Sequence, residues 1–493
     1  MSKRTRNEHA AYWIIGVGLE PMNSSNGESE QSCAAIILAA GKSTRMRSKL
    51  PKSLHSICGK AVTRHVIDAC RAAGVTRIIV VVGHEAEVVK SGLGSDVEYA
   101  LQVHQRGTGD AVIAAKENLK DWCGPILVLA GDAPLIRPET ICQLIAMQAG
   151  GASLAMATAV LDNPTGYGRI LRDDDDNILR IVEEKDASEA EKRIKEWNPS
   201  VYVFDPVQLW DALDMVQPNN SQGEFYLTDT VRIISEKGGM IRSYTVPCAT
   251  ETLGINTKLE LAEAAAIMRS AILKNHMLAG VTIVDPANTY IDAAVSIEQD
   301  TTILPGSLLC GHTSIGPDCV IGPAANITDS TVGAGCYIVS SQIVQSVLEN
   351  RVKVGPFANL RPGTHLCDAV KIGDFVELKN ARLEEAVSVS HLSYLGDAHV
   401  GEHTNIGAGT ITCNYDGFDK HRTEIGARAF VGSHSTLIAP IHVGNDVIVA
   451  AGTTLPAGVS VPDDSLAISR EAHSIKPEWA RKYRESKRKR SQI

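Results

Sequence analysis

In the C-terminal half of this chain an aliphatic residue returns at every sixth position, often with glycine behind it. Ile315-Gly316, Ile321-Gly322 and Ile327 set the register, and Val354-Gly355, Leu360, Leu366, Ile372-Gly373 and Leu378 resume it. It continues through Val400-Gly401, Ile406-Gly407 and Thr412, then Ile425-Gly426, Val431-Gly432, Leu437, Val443-Gly444, Val449, Leu455 and Val461. A period of six matches neither the 3.6-residue turn of a helix nor the two-residue alternation of a strand. It matches a coil with three flat faces, in which one aliphatic residue per face points inward and the next turns a corner. Glycine is expected at those corners for its tolerance of positive φ. Stacked aliphatic side chains build a core without rings, in keeping with an aromatic content of 4%. The register breaks between Thr412 and Ile425, where "CNYDGFDKHRTE" supplies about one face too many. Such an insertion projects a loop from one face of a solenoid, commonly the binding face.

The preceding half reads differently. "CAAIILAAG", "RIIVVVGH" and "PILVLAGDAPL" are continuous apolar runs, as in buried parallel strands, and "VTRHVIDACRAAG" and "GTGDAVIAAKENL" have helical spacing. This alternation predicts a doubly wound sheet with right-handed crossovers and ligands at the carboxyl ends of its strands. "LAAGKS" and "LAGDAP" both fall at such ends. The run "RDDDDN" at 172–177 links two strand-like segments and reads as a solvated turn. "NTKLELAEAAAIMRSAILKNHMLAG" predicts a long helix joining two domains.

The chain has 493 residues, 44% of them hydrophobic, which is ample for two to four domains. A net charge of -9 argues against a nucleic-acid binder, and no apolar run reaches membrane-spanning length. The 11 cysteines are odd in number and lack CxxC pairs, so their spacing indicates neither a disulfide framework nor a zinc site, and they read as thiols of a reducing compartment. The start is basic with a short apolar stretch, Ala10 to Leu19, and no small-residue cleavage signal follows. It reads as a disordered extension over 1–32, or as a start placed upstream of the true one at Met22. The expected organisation is a doubly wound α/β domain over 33–255, a linker helix over 256–280, the hexapeptide coil over 281–467, and a flexible basic tail over 468–493.

"GKST" inside "LAAGKSTRMRSKLPKS" has the ending of an ATP-binding P-loop, but that motif needs a glycine where Ile36 stands. The loop still follows a strand and carries glycine and cations suited to an anionic ligand. Its fuller form, L-A-A-G-x-x-T-R-M followed by Pro51-Lys52, resembles the signature of sugar-1-phosphate nucleotidyltransferases. Further strings narrow the resemblance: "LPKSLHSICGKAV", "QRGTGDAV", "NPTGYGRI", "IVEEKDAS", "LRPGTHL", "ELKNARL", "HLSYLGDAHVGEHTNIGAGTITCNYDG" and "LAISR". Over residues 33–472 the chain resembles the bifunctional bacterial N-acetylglucosamine-1-phosphate uridyltransferase/glucosamine-1-phosphate acetyltransferases. The long C-terminal string is highly specific to them, whereas the glycine loop alone identifies only the superfamily.

The resemblance implies an α/β Rossmann-like nucleotidyltransferase domain followed by a left-handed parallel β-helix of hexapeptide repeats. It implies acetyl transfer from acetyl-CoA to glucosamine-1-phosphate, then uridylyl transfer from UTP to the product with release of pyrophosphate. Leu38, Ala39, Ala40 and Gly41 would line the uridine nucleotide, with Lys52 on its phosphates and Arg45 as a second cation. Gln102, Gly107 and Thr108 would meet the base. Asp132 and Asn256 would hold Mg²⁺, although Asp132 taken alone reads equally well as a helix cap. Gly166, Glu183 and Asn198 would face the sugar. In the coil, His391 would be the general base, a role suited to a group that titrates near neutrality. Arg361 and Lys379 would grip the sugar phosphate, and Tyr394 and Asn405 would position the ring. Ala408, Ser433, Ala451 and Arg470 would contact acetyl-CoA, with Asn414 and Tyr415 completing that site from the inserted loop.

Three positions depart from the family pattern: Ala130 in Ala130-Gly131-Asp132, where tyrosine is usual; Pro199-Ser200, where threonine and glycine are usual; and Ser43 for a second loop glycine. The first two leave sugar specificity or rate in the first domain open. The readings are therefore a bifunctional enzyme, an acetyltransferase with a weak or differently specific first domain, or a non-catalytic scaffold of the same architecture, against which Lys52, Asp132, Asn256 and His391 all speak. The resemblance further implies a cytoplasmic homotrimer acting on small molecules, with no nucleic acid or membrane partner, and an acetyl-CoA cleft between chains.

Overall fold

The computed structural model describes residues 32–469 and 475–490. Arg470, and the expected extension apart from Ser32, lie outside the described residues. The chain divides into two compact units, one reaching to Leu278 and including Ile291–Ala293, the other comprising Ala279–Tyr290 and the chain from Ala294 onward.

The first unit is built on a sheet of ten strands. Glu98–Leu101, Arg77–Val82, Ala34–Leu38 and Ile126–Ala130 lie side by side and parallel, as the alternating pattern predicts. Beyond them the sheet is mixed. Val201–Phe204 runs antiparallel between Ile126–Ala130 and Leu154–Val160, and Gly168–Arg172 forms a hairpin with Ile178–Val182. For the hairpin the change follows from connection length: a parallel return needs a crossover of a dozen or more residues, and the link 173–177 is too short. The acidic run closes that hairpin. The Asp173 carboxylate accepts from the backbone N–H of Asp175 at 3.0 Å and of Asn177 at 2.8 Å. Alternate residues of Ala34–Leu38 feed two cores. Ala34 and Ile36 pack with Val112, Leu209 and Val231 on one face, and Ala35 and Ile37 with Val66, Ile67 and Leu144 on the other. The loops at the strand ends are thereby held from both sides.

The long helix is Lys258–Leu278. Its start is a capping box: Glu260 Oε2 accepts from Thr257 N at 2.7 Å and Asn256 N at 2.6 Å, while Thr257 Oγ1 accepts from Glu260 N at 3.2 Å.

The second unit is a β-helix of three parallel sheets with 11, 10 and 10 strands. Its strands run from Thr282–Ile283 to Leu466–Ala467. Val332, Ile338, Ile343 and Leu348 continue the buried stacks between Ile327 and Val354, and Leu383, Val389 and Leu395 do so between Leu378 and Val400. Corners there are one residue shorter, so the strict period of six slips although the fold does not. Corner hydroxyls cap the turns from inside: Thr313, Thr364 and Thr410 each donate at 2.7 Å to the carbonyl three residues back.

Two expectations are corrected. Gly322 and Gly355 have the expected positive φ, 102 and 106, but at Gly316, Gly373, Gly407 and Gly432 the glycine after the aliphatic residue lies outside that region. It is required by the next coil: a Cβ on Gly373 would stand 1.9 Å from Ser390 O, and one on Gly432 2.4 Å from Ala451 N. Left-handed corners instead fall on residues such as Asp318, His403 and Arg428. The tail is not wholly irregular either, since Trp479–Arg490 is helical, with Trp479 and Tyr483 stacked at 5.1 Å on its surface. Among the described residues no helix is long and apolar enough to cross a membrane. Among the described residues, which include all 11 cysteines, there is no disulfide.

Candidate active sites

In the first unit the loop after Ala34–Leu38 and the turn after Ile126–Ala130 open a cavity of about 310 Å³. Leu38, Ala39, Ala40, Gly41, Lys52, Thr108, Ala130, Gly131 and Asp132 line it. Gly131 N donates to Leu38 O at 2.9 Å, and Thr63 Oγ1 donates to Gly131 O at 2.7 Å. These bonds fix the two strand ends against each other. A Cβ on Gly41 would meet nothing within 4 Å, so the loop faces open space there.

Cations and oxygens converge on one point. The Lys52 ammonium forms a very short ion pair with Asp132 and donates to Asn256 Oδ1 at 3.1 Å. Arg45 Nη2 donates to the same Asn256 oxygen at 2.9 Å. Residues distant in sequence are delivered by backbone bonds: Ile255 N donates to Asp132 O at 2.9 Å, and the capping box holds Asn256 N. Two oxygen donors that share one ammonium are a fitting ligand set for a small hard divalent cation.

Gln102 is buried, and its Nε2 donates to Gly107 O at 3.1 Å and to Asp110 Oδ2 at 2.9 Å. Arg106 pairs with the same Asp110 carboxylate at 2.7 Å. The amide is thus braced by two residues that the sequence reading did not single out. A Cβ on Gly107 would lie 2.5 Å from Phe225 O, which accounts for glycine there. Asn198 is buried and its Oδ1 accepts from Tyr202 Oη at 2.9 Å and Ser200 N at 3.1 Å. Glu183 accepts from Thr228 Oγ1 at 3.1 Å, and burial raises its carboxyl above the ordinary range. Gly166 turns the chain at φ 90. The two serine departures share one conformation: Ser43 has φ 55 and Ser200 φ 59, the left-handed region in which glycine is unstrained.

In the second unit the site is a column. Ile372, Val389, Ile406, Val431 and Val449 stack in register through five consecutive coils. Two residues beyond each stand Asp374, His391, Ala408, Ser433 and Ala451. The glycines between let the coils close up at this edge. His391 Nδ1 lies 2.5 Å from Asp374 Oδ1, and His391 holds the Asp374 carboxyl below its usual range. Asp374 escaped the sequence reading. The available signal was its separation of 17 residues from His391, one coil.

On the adjoining sheet Arg361, Lys379 and Gly396 follow the stacked Leu360, Leu378 and Leu395. Lys420, on the inserted loop, and then Arg361 hold the Lys379 ammonium below its ordinary value, so three cations gather at one spot. Arg361 is paired with Glu377 at 2.8 Å. A Cβ on Gly396 would stand 2.4 Å from Tyr394 Oη and 2.8 Å from Asn414 Nδ2, so glycine makes room for both. Asn414 is anchored on Asp397, which also accepts from Asn380 at 2.6 Å. The loop folds on Asp416, which accepts from Phe418 N and Asp419 N at 2.8 Å and pairs with His421 at 2.8 Å. It presents Tyr415 and a 92% exposed Phe418. Asn405 is exposed on the His391 face.

Residues 35–201 match the MobA-like NTP transferase domain, 322–405 the GlmU-like C-terminal hexapeptide family, and 422–457 the hexapeptide repeat of succinyl-transferase. The Bifunctional protein GlmU of Brevibacillus brevis is 48% identical over 91% of this chain and 97% of its own length. The proteins of that name from Clostridioides difficile and Geobacillus sp. are 46% and 48% identical, over 91% and 88% of this chain and 97% and 95% of their own. With a nucleotide-handling sheet in front and a left-handed β-helix of hexapeptide repeats behind, and with likeness running through both, the chain belongs to the GlmU family of bifunctional uridyltransferase/acetyltransferases.

Proposed function

We propose that the second unit acetylates glucosamine-1-phosphate and that the first then transfers uridylyl from UTP to the N-acetylated product. The observation that carries this reading is the single column of Asp374, His391, Ala408, Ser433 and Ala451 beside a cluster of three cations. Arg361, Lys379 and Lys420 receive the sugar phosphate, and Tyr394 and Asn405 orient the ring. Asp374 holds the His391 Nδ1–H, leaving Nε2 to take a proton from the sugar amine. The amine forms a C–N bond with the thioester carbonyl as the C–S bond breaks, and the proton returns to the departing thiolate. Ala408, Ser433 and Ala451 give acetyl-CoA a smooth wall of small side chains along the coils.

In the first unit a phosphate oxygen of the sugar attacks the α-phosphorus of UTP and pyrophosphate leaves. The reacting groups are all anionic, so charge neutralisation dominates the barrier. Lys52 and Arg45 supply it from the glycine loop, Gln102 reads the base, and Glu183 and Asn198 hold the sugar. Asp132 and Asn256 are the ligands for Mg²⁺, which when bound adds charge neutralisation at the triphosphate.

The assembly is a trimer, supported by an apolar ridge on one corner of the β-helix. Phe357, Phe375 and Leu392 are 60%, 56% and 62% exposed, and the two rings stack at 5.4 Å. The ridge adjoins His391, where a second copy completes the acetyl-CoA cleft. A cytoplasmic location suits cysteines without disulfides.

The test runs the two half-reactions separately on purified protein. Asp132→Ala is expected to abolish nucleotide transfer and spare acetylation, and His391→Ala to do the reverse, each by about 10²–10⁴-fold. Loss of both reactions in a folded single variant would contradict the two-site assignment, and an acetylating monomer in sedimentation would contradict the trimer.

A further inference from the structure

The third face of the β-helix carries neither proposed active site. Leu348, Leu366 and Leu383 stack inward on it through three coils. His365 and Cys367 flank Leu366 on one strand and therefore point outward together. Glu349 follows Leu348 in the coil before, and Glu384 follows Leu383 in the coil after. A ladder of acids and bases along such a face is ordinarily a solvated surface. A buried thiol within it is not, and Cys367 is only 5% exposed.

Ligand atoms of Glu349, His365 and Cys367 lie within 4.8 Å of one another. His365 Nε2 is 2.8 Å from Glu349 Oε1, and Cys367 Sγ is 3.2 Å from Glu384 Oε2. The group opens on a concavity of about 700 Å³ lined by Glu349, Cys367, Arg382 and Glu384 among others. A cation already sits in this set. The Arg382 guanidinium reaches His365 Nδ1 at 2.8 Å, Cys367 Sγ at 3.2 Å and Glu384 Oε1 at 2.6 Å. Lys52 stands in the same relation to Asp132 and Asn256 in the first unit.

We propose that Glu349, His365 and Cys367 form a second metal site, for a divalent ion of the zinc class, on the third face of the β-helix, with Glu384 beside Cys367 closing in as a fourth ligand once Arg382 leaves. One thiolate, one imidazole and two carboxylates are the donors that select a borderline-soft ion over magnesium. The ion binds by expelling the Cys367 thiol proton to solvent and displacing Arg382 from His365 and Cys367. The ion would tie three successive coils together. No short motif announces the site, because its ligands come from separate coils.

The test uses cobalt(II) as a spectroscopic probe on the full chain in excess magnesium, which fills the oxygen-only site of the first unit. A thiolate-to-cobalt charge-transfer band, removed by added zinc, is expected in the wild type. Cys367→Ser should abolish the band and weaken zinc binding by about 100-fold or more, beyond the range seen when mere supporting partners are lost. His365→Ala keeps the thiol and should weaken binding as well, while Arg382→Gln removes the competing cation and should tighten it. Absence of the band in the wild type, or an unchanged band in Cys367→Ser or affinity in His365→Ala, overturns the site.

Discussion

The two units assemble polar groups by different routes. In the β-helix, Asp374, His391, Ala408, Ser433 and Ala451 are neighbours because each stands at the same place in successive coils. In the α/β unit, Arg45, Lys52, Asp132 and Asn256 meet although Arg45 and Asn256 are 211 residues apart. Sequence spacing is geometry in the first case. In the second, a sheet, a main-chain bond to Asp132 and a capping box must all form before the site exists. Removing one side chain from the column should therefore leave its neighbours in place, whereas the convergent site depends on backbone connections.

The sharpest test of that contrast is Asp374→Asn, which keeps the shape of the column but loses the carboxylate that orients His391. Acetyl transfer is expected to fall by about 100-fold, at the low end of general-base contributions, with KM little changed and uridylyl transfer intact. An unchanged rate would mean that the column does not position the histidine. Next in size is Gly432→Ala, whose Cβ would lie 2.4 Å from Ala451 N. Denaturant unfolding should report about 1–3 kcal/mol lost, the usual cost of overpacking. Gly41→Ala, with nothing within 4 Å, should cost the fold little by the same measurement.

Smaller effects probe the serine departures. Ser43→Gly and Ser200→Gly each relieve a left-handed backbone, so each should gain up to about 1 kcal/mol in the first unit. A loss at Ser200 would show that its contact with Asn198 outweighs the strain. The smallest change is expected from Glu183→Gln. Burial raises this carboxyl, so its ionised form costs stability at neutral pH, and that cost disappears once the group is protonated. The amide variant should melt higher than wild type at pH 7, with the advantage shrinking as the pH falls through the raised folded-state value and gone by about pH 4. Comparing melting curves at the two pH values checks the sign.

What the sequence disclosed follows the same division. The repeat of Ile, Leu and Val exposed the coil, and its one long interruption exposed the loop carrying Asn414 and Tyr415. The loop's Lys420 was passed over because a lone lysine beside aspartates reads as surface. Asp374 was hidden because corners of variable length blur the coil period between Ile372 and Val389. The expected positive φ holds at Gly322 and Gly355, but what excludes a side chain at Gly373 and Gly432 is the neighbouring coil, a long-range contact that no local pattern contains. In the first unit the parallel strands were legible from their apolar runs. The antiparallel placement of Val201–Phe204 was not, since it depends on which sheet edge is left open once the other strands have paired.

The nearest-neighbour packing of the coils has an evolutionary corollary. A prism assembled rung by rung can be lengthened or shortened by whole rungs before Glu349 without disturbing the chemistry above it. Its length is then a free variable for selection, whereas the convergent site tolerates no comparable edit.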